Sequence, residues 1–228
     1  MIALMYLLVA AIGYLIGSIP FGLIVSKRST KIDIRQVGSG KMGTTNVLRT
    51  AGKKAAVLVL VLDLSKGALA VFIATLIFGQ QQIAIGGSAL WLTPSAQVLA
   101  ALAAIAGHTW PIFVRFKGGR GVATFLGGLA VLCPPAALFG GEVLIIGAGL
   151  TRYMSLGSIA GAVGTFAILA PLTILNGFPV EYLFYSLAGT VFIIIMHRDN
   201  IARLLSGKER KIGEKIESRP QASTPEPR

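Results

Sequence analysis

Residues 1–26 have the sequence MIALMYLLVAAIGYLIGSIPFGLIVS, which contains no charged side chain. Four further stretches carry no charge either, at residues 67–114, 121–141, 153–180 and 182–196. Because about 20 apolar residues suffice for one membrane crossing, these stretches predict several transmembrane helices. The first stretch lacks the basic start of a cleavable signal peptide. The predicted fold class is therefore an all-α, polytopic integral membrane protein.

The overall composition excludes an ordinary soluble domain. Of the 228 residues, 54% are hydrophobic and only 13% are charged, whereas a soluble domain carries about 25% charged residues. A single cysteine, Cys133, excludes an internal disulfide. We predict one transmembrane domain over residues 1–210 and a disordered cytoplasmic tail over residues 211–228, because the tail is polar and contains several prolines.

Basic residues are concentrated in alternate connections between the apolar stretches. Of the 21 Lys and Arg residues, 20 lie in 27–54, in 115–120, at Arg152 and from Arg198 onward, and Lys66 lies in an early turn of the second predicted span. Under the positive-inside rule, these connections are cytoplasmic. The alternation predicts seven transmembrane helices with the N-terminus outside and the C-terminus in the cytoplasm. Two of these helices flank Pro134-Pro135 and are short, so we expect tilt or local thinning of the bilayer.

The first polar motif is the glycine-rich stretch 38–49, with the sequence Gly-Ser-Gly-Lys-Met-Gly-Thr-Thr-Asn-Val-Leu-Arg. Glycines allow backbone angles at which successive amide groups turn toward one point, which suits a phosphate. Ser39 adds a hydroxyl donor, and Arg49 adds a bidentate charged donor. If residues 44–50 form a helix, Thr45, Asn46 and Arg49 lie close together on it. The alternative is a flexible cytoplasmic linker.

The second motif, at residues 116–124, has the sequence Phe-Lys-Gly-Gly-Arg-Gly-Val-Ala-Thr and leads into a predicted helix. Free amides at a helix N-terminus, preceded by glycines and cations, favour anion binding. The alternative is a tight turn whose cations only set the membrane topology. A third cluster follows the last span, where His197, Asn200 and Arg203 share one face if the helix continues. We expect Asp63 and Lys66 to form a buried structural pair within a span.

Taken together, these motifs resemble those of the bacterial acyl-phosphate–glycerol-3-phosphate acyltransferases, the PlsY family. The resemblance covers roughly residues 1–210 and includes Gly107-His108 and Ser155. It implies transfer of a fatty acyl group from acyl phosphate to the 1-hydroxyl of sn-glycerol 3-phosphate. The products would be lysophosphatidic acid and phosphate, in the first acylation step of phospholipid synthesis. The implied location is the bacterial cytoplasmic (inner) membrane, with the active site on the cytoplasmic face.

The resemblance also implies individual residue roles. Ser39, His197 and Asn200 would be catalytic. The implied substrate-binding residues are Gly38, Gly40, Lys41, Gly43, Thr45, Asn46, Arg49, Lys117, Gly118, Gly119, Arg120, Ser155 and Arg203. Two positions depart from the family pattern, since Lys41 stands where the family usually has Asn and Arg120 where it usually has Lys.

Glycerolipid acyltransferases more commonly use a His with an Asp five residues later. That pair is absent, because Phe113 follows His108 and Ala202 follows His197 at this spacing. An acyl phosphate is already activated, so positioning and charge neutralisation suffice. Either the leaving phosphate, with a second pKa of about 6, or His197 would take the hydroxyl proton.

We expect no cofactor, no metal and no nucleic-acid partner, with membrane lipids as the surroundings. An obligate protein partner is left open. The alternative functions are a membrane transporter for a phosphorylated solute and a scaffold that binds anionic lipids through the basic face. Polar clusters confined to one membrane side disfavour the transporter, because transport requires access from both faces.

Overall fold

The computed structural model of the protein describes residues 1–79, 81–85 and 88–214. The helices among these residues are α1 (Ile2–Ser18), α2 (Phe21–Thr30), α3 (Thr44–Phe78), α4 (Thr93–Thr109), α5 (Val122–Leu132), α6 (Pro134–Thr151), α7 (Met154–Asn176), α8 (Val180–Met196) and α9 (Arg198–Leu205), with short 3₁₀ helices at Ile34–Gln36 and Ile112–Val114. The predicted disordered tail falls largely at residues 215–228, which lie outside the described residues.

Five helical segments are long and apolar enough to cross a membrane. They are Ile2–Thr30, Thr44–Phe78, Thr93–Val114, Pro134–Thr151 and Met154–Asn176. A sixth is added if α8 and α9, which are bent by 59° to each other, count as one span. Helix α5 is apolar but has only 11 residues. The protein is thus a helical membrane protein with five or six candidate spans by length, whereas the sequence predicted seven.

Two predicted helices contain breaks. The first span ends at Ser18 and resumes at Phe21 because Pro20 cannot donate a helical backbone hydrogen bond. Residues 44–50 are helical as expected, but they are continuous with the second span in α3. Gly52 marks the kink between them, with φ 82° and ψ −179°. The kink separates a short turn of helix at the loop from the long apolar part of α3.

The described residues also contain a two-stranded antiparallel hairpin, which the all-α prediction did not include. Strand β1 (Gln82–Ile85) pairs with β2 (Ser88–Trp91) between α3 and α4. The hairpin lies in the connection 79–95, which carries no Lys or Arg. It closes the α3–α4 turn at the end of the bundle opposite the basic motifs.

Glycines let several helices approach at backbone distance. A Cβ on Gly17 would overlap the Ala104 carbonyl, and one on Gly107 would overlap the Tyr14 carbonyl. A Cβ on Gly67 would overlap the Thr124 carbonyl. Small residues commonly allow such close packing between membrane helices. These contacts fix α1 and α4 side by side and hold the first turn of α5 against α3.

Buried polar residues lie at both ends of the α3–α4 pair. At the hairpin end, the Gln97 amide donates to Thr75 Oγ1 at 2.8 Å and accepts from the Tyr182 hydroxyl at 2.6 Å. At the other end, Asp63 and Lys66 of α3 lie beside His108 of α4. The apolar core lies between these two levels and includes Phe125, Leu129 and Tyr185, all fully buried.

Candidate active site

The first glycine-rich loop is organised around Asn46, which is only 2% exposed. Its side-chain amide nitrogen lies 3.0–3.1 Å from the carbonyl oxygens of Ile34, Val37 and Lys41. Its Oδ1 accepts from the Ser39 amide at 3.2 Å. Because both ends of the side chain bond to backbone, Asn46 shapes the loop and places Ser39 beside the N-terminus of α3.

The glycines of this loop differ in their conformations. Gly38 and Gly40 have φ of 62° and 68°, in the left-handed region that favours glycine. Gly43 has φ of −77°, so its conformation suits any residue. Apart from Gly43 and its two chain neighbours, the described residues place no heavy atom within 4 Å of the position that a Gly43 Cβ would take. The first turn of α3 therefore begins beside open space, with Ser39 exposed at its edge.

Three further residues of the first motif were expected to bind substrate, and they differ in how far they lie from the surface. Lys41 is exposed, and its amide donates to Ser39 Oγ at 3.4 Å. Thr45 is partly buried in the first turn of α3. Arg49, one turn further along, donates weakly to the carbonyls of Arg210 and Lys211 at 3.4 and 3.5 Å. Arg49 therefore joins the first loop to the C-terminal segment, which we define as residues 206–214.

The second glycine-rich loop is docked onto the end of α4. The Gly118 amide donates to the Thr109 carbonyl at 3.1 Å, and the Gly119 amide donates to the His108 carbonyl at 3.0 Å. These two amides are thus occupied within the protein, although the sequence analysis placed both glycines at a substrate. Gly121, with φ 81°, caps the N-terminus of α5.

The two cations of the second loop have different surroundings. Lys117 is exposed. Arg120 is largely buried, and its Nε has no hydrogen-bond partner within the described part of the chain. Burial lowers the pKa of Arg120 from its usual value, the Glu209 carboxylate opposes this shift, and the charge of Arg203 adds to it. A largely buried cation with an unpartnered Nε favours an anionic ligand.

The third cluster is centred on Glu209, whose side chain is 7% exposed. Ser155 Oγ and Asn200 Nδ2 donate to Glu209 Oε1 at 2.8 and 2.6 Å. Arg203 Nε donates to Oε2 at 2.7 Å. Burial opposes ionisation, but these hydrogen bonds outweigh it and hold the pKa of Glu209 below its usual range. Glu209 thus joins α7, α9 and the C-terminal segment.

His197 follows directly after α8 and is 2% exposed. Its Nδ1 lies 2.8 Å from the Ile193 carbonyl oxygen. Because a carbonyl can only accept, Nδ1 carries the hydrogen, which leaves Nε2 as the acceptor of the neutral ring. Burial, followed by the nearby Arg120 charge, lowers the pKa of His197 to about 4. His197 is therefore neutral at pH 7 in the ligand-free protein.

The motifs predicted from sequence meet at one end of the bundle. Arg120 lies within electrostatic reach of His197, Arg203 and Arg49. Ser39 is tied to the same turn of α3 through Asn46. A surface cavity of about 480 Å³ opens beside this cluster. It is lined by Arg152, Tyr153, Gly207, Glu209, Lys211, Gly213 and Glu214.

Glu209 and His108 are two residues of this region to which no role was assigned from the sequence. Glu209 is an acidic residue within a strongly basic stretch, and this contrast is the sequence feature that could have identified it. His108 lies against the second loop, but its sequence neighbours are apolar or small. Among residues 1–79, 81–85 and 88–214, no group of three or more His, Cys, Asp or Glu is arranged to hold a metal ion.

A family model described as glycerol-3-phosphate acyltransferase matches residues 7–207. The chain belongs to this family. Glycerol-3-phosphate acyltransferase 3 from Dehalococcoides mccartyi strain CBDB1 is 61% identical over 209 residues, which cover 92% of this chain and 96% of the relative. The glycerol-3-phosphate acyltransferase of Halalkalibacterium halodurans is 42% identical over 205 residues, which cover 90% of this chain and 94% of the relative.

Solved structures of this family share the fold. One is the glycerol 3-phosphate form of PlsY (YgiH), described as an integral membrane glycerol 3-phosphate acyltransferase. It matches with a TM-score of 0.77 and 38% identity over 91% of this chain and 96% of that chain. The lysophosphatidic acid form matches with a TM-score of 0.76 and 38% identity over 91% of this chain and 95% of that one. The PlsY resemblance stated from the sequence motifs is therefore confirmed.

Proposed function

We propose that this chain transfers a fatty acyl group from acyl phosphate to the 1-hydroxyl of glycerol 3-phosphate. One observation carries the assignment of the site. Three motifs, distant in sequence, bring Arg49, Arg120 and Arg203 together around buried polar groups that still have free bonding capacity. Besides Arg120 Nε, the Asn200 Oδ1 atom is buried without a partner among the described residues. Such groups are costly unless a ligand or water satisfies them.

The two phosphorylated substrates are assigned to different groups of the site, acyl phosphate to the glycine-rich turn before α3 and glycerol 3-phosphate to side chains drawn from all three motifs. The open space beside Gly43, the left-handed Gly38 and Gly40, and the hydroxyl of Ser39 suit the phosphate of acyl phosphate. Arg49 and Arg120 suit the phosphate of glycerol 3-phosphate, because charge-assisted bonds to phosphate are strong. The free Asn200 Oδ1 atom can accept a hydrogen bond from a glycerol hydroxyl. Asn46, Gly118, Gly119 and Ser155 act mainly by holding these groups in place, and Lys117 and Lys41 raise the positive potential at the surface.

Proton transfer falls to the leaving phosphate in this proposal. A group with a pKa of about 4 accepts a proton less readily than a phosphate with a second pKa of about 6. His197 Nε2 can nevertheless accept a hydrogen bond from a glycerol hydroxyl and orient it toward the acyl carbon. As the hydroxyl oxygen bonds to that carbon, the carbon–phosphate oxygen bond breaks and phosphate departs with the proton. His197 thereby serves as an orienting group.

The proposed topology has seven crossings, with the N-terminus outside, the C-terminus in the cytoplasm and the site facing the cytoplasm of a bacterial inner membrane. Helix α5 is the additional crossing. Gly121 lies beside Thr109 and Phe192, and Gly128 lies beside Ala101 and Tyr185. Helix α5 therefore runs along both α4 and α8 toward the hairpin end. Its 11 residues span about 16 Å, so the bilayer thins or the chain continues the crossing around Cys133.

The test is a phosphate-release assay on the full chain purified in detergent, with acyl phosphate and glycerol 3-phosphate but no coenzyme A. We expect turnover, and we expect Ser39→Ala to remove most of it. Arg120→Ala should raise KM for glycerol 3-phosphate by about tenfold or more, the loss expected for one charged hydrogen bond. Arg28→Ala removes an exposed cation of α2 as a control and should change KM little. Absence of phosphate release would overturn the donor assignment, and an unchanged KM in Arg120→Ala would overturn the site.

A further inference from the structure

His108 lies below the second glycine-rich loop and belongs to a buried group of three ionisable side chains. Asp63 and Lys66 of α3 form an ion pair, with Lys66 Nζ 2.8 Å from Asp63 Oδ1. The two side chains are 2% and 3% exposed. His108 Nδ1 lies 3.5 Å from both Lys66 Nζ and Asp63 Oδ1. Ionisable side chains are costly to bury, so the presence of three of them together inside the helix bundle calls for a reason.

The opposite edge of the His108 ring faces the loop. A Cβ added to Gly119 would overlap His108 Nε2, so the loop backbone rests directly on the ring. The carbonyl of His108 accepts the Gly119 amide, and the next carbonyl accepts the Gly118 amide. The ring and the main chain of His108 therefore both contact the loop immediately before Arg120 and fix its position relative to α4.

The ring has little room to take another orientation. Lys66 Nζ also lies 4.9 Å from the centroid of the Phe21 ring, a cation–π contact that helps to hold the ammonium group in place. The space beside the three ionisable groups is a cavity of about 10 Å³, which corresponds to about one water molecule. Helix α3 also carries Arg49, so the ion pair connects the first loop's helix to the second loop.

We propose that His108, held by Asp63 and Lys66, is a positioning residue that sets the place of Arg120 in the glycerol 3-phosphate site. The proposal rests on the proposed role of Arg120. His108 does not contact the substrate in this arrangement. Its ring lies between the ion pair of α3 and the loop backbone and so holds the loop at a fixed distance from α3. The Arg120 guanidinium can then bind the phosphate without a rearrangement of the loop. A guanidinium that is already held in place loses less conformational freedom when it binds the phosphate, so such support should tighten binding of glycerol 3-phosphate.

The test first compares KM and kcat in three variants of the full chain in the phosphate-release assay. We expect His108→Ala to raise KM for glycerol 3-phosphate by about tenfold with kcat changed less than about threefold, because Arg120 binds ground state and transition state alike. His108→Asn keeps a polar group near Nδ1 and should recover part of the loss. Gln97→Ala is the matched control. It breaks a buried polar bridge between the same two helices at the hairpin end, and it should lower Tm without raising KM.

A double-mutant cycle identifies the path of the effect. Gly119→Ala places a methyl group against the ring and should raise KM, whereas Gly119→Ala combined with His108→Ala has space for that methyl group. We therefore expect the double variant to be no worse than His108→Ala alone, since groups in contact are not additive. A second cycle combines His108→Ala with Arg120→Ala. We expect the KM for glycerol 3-phosphate in this double variant to be no higher than in Arg120→Ala alone.

Three outcomes would overturn the proposal while leaving the proposed function intact. The first is a rise in KM for Arg120→Ala with none for His108→Ala. The second is an equal fall in Tm and an equal change in KM for His108→Ala and Gln97→Ala, which would make His108 a purely structural residue. The third is fully additive effects in both cycles. If Arg120→Ala itself leaves KM unchanged, the site assignment fails instead.

Discussion

Asn46 and Glu209 each hold several groups together at the basic end of the bundle, but over very different distances along the chain. Asn46 bonds to backbone groups that lie 5–12 residues away. Glu209 bonds to side chains that lie 6, 9 and 54 residues away. The Asn46 centre is thus formed within one loop, whereas the Glu209 centre forms only when α7, α9 and the C-terminal segment have packed.

The two centres also differ in the capacity that they leave for a ligand. Both ends of the Asn46 side chain bond to backbone, so its function is complete within the loop. Glu209 occupies one donor of Asn200 and one of Arg203, and the Asn200 Oδ1 atom has no partner in the described part of the chain. The difference suggests that Asn46 shapes a binding loop, while Glu209 orients groups that themselves meet a substrate.

Asn46→Ala should have the largest effect. It removes the partners of three carbonyl groups and one amide, and each buried group left unsatisfied costs about 1–3 kcal/mol. We expect Tm to fall and kcat/KM to fall by about a hundredfold or more, equivalent to about 3 kcal/mol. Thermal unfolding in detergent and the phosphate-release assay measure both quantities.

Two further variants make the Asn46 prediction specific. Asn46→Asp keeps the acceptor for the Ser39 amide but loses both donors, so it should be nearly as damaging. Gln36→Ala alters an exposed side chain in the same loop and should be almost silent. Near-normal Tm and activity in Asn46→Asp would show that the donated bonds do not hold the loop.

Glu209→Gln should have an intermediate effect that depends on pH. Because the pKa of Glu209 is lowered in the folded protein, its ionised form stabilises the fold above the unfolded pKa of about 4.3. This contribution is lost as pH falls through the lower pKa that Glu209 has in the folded protein. The Tm difference between the native protein and Glu209→Gln should therefore be largest near pH 7 and shrink below about pH 4.3.

Glu214→Gln, which changes an exposed acid of the same segment, is the control for Glu209→Gln. A Tm difference that stays constant from pH 7 to pH 3.5 would contradict the assignment.

The helices and loops that carry the candidate site could be predicted in part from the sequence, because these elements are local, while the substrate roles of their residues stay predictions. Charge-free stretches and alternate basic connections depend on short segments, and so does the helix predicted over residues 44–50. The contacts of Glu209 and His108 could not be predicted, because each joins segments that approach only after helices have packed. For the same reason, the bonds of the Gly118 and Gly119 amides to the end of α4 could not be predicted. The hairpin was missed because its connection showed no clear strand alternation.

Lys41→Asn should have the smallest effect, and it separates the shape of the first loop from its charge. Only the backbone of Lys41 is bonded to Asn46, through the carbonyl oxygen, so the substitution leaves the Asn46 centre intact. The side chain is exposed, and exposed charges contribute little and are screened by salt. We expect KM for acyl phosphate to rise less than about threefold at low ionic strength, with the difference vanishing near 1 M salt, where the Debye length is about 3 Å. Lys31→Asn is the matched control, since it removes an exposed cation before the same loop at a left-handed position that Asn tolerates. A rise in KM of tenfold or more that persists at 1 M salt would place the Lys41 ammonium group in direct contact with the acyl phosphate, and the first loop would then bind its ligand by charge as well as by shape.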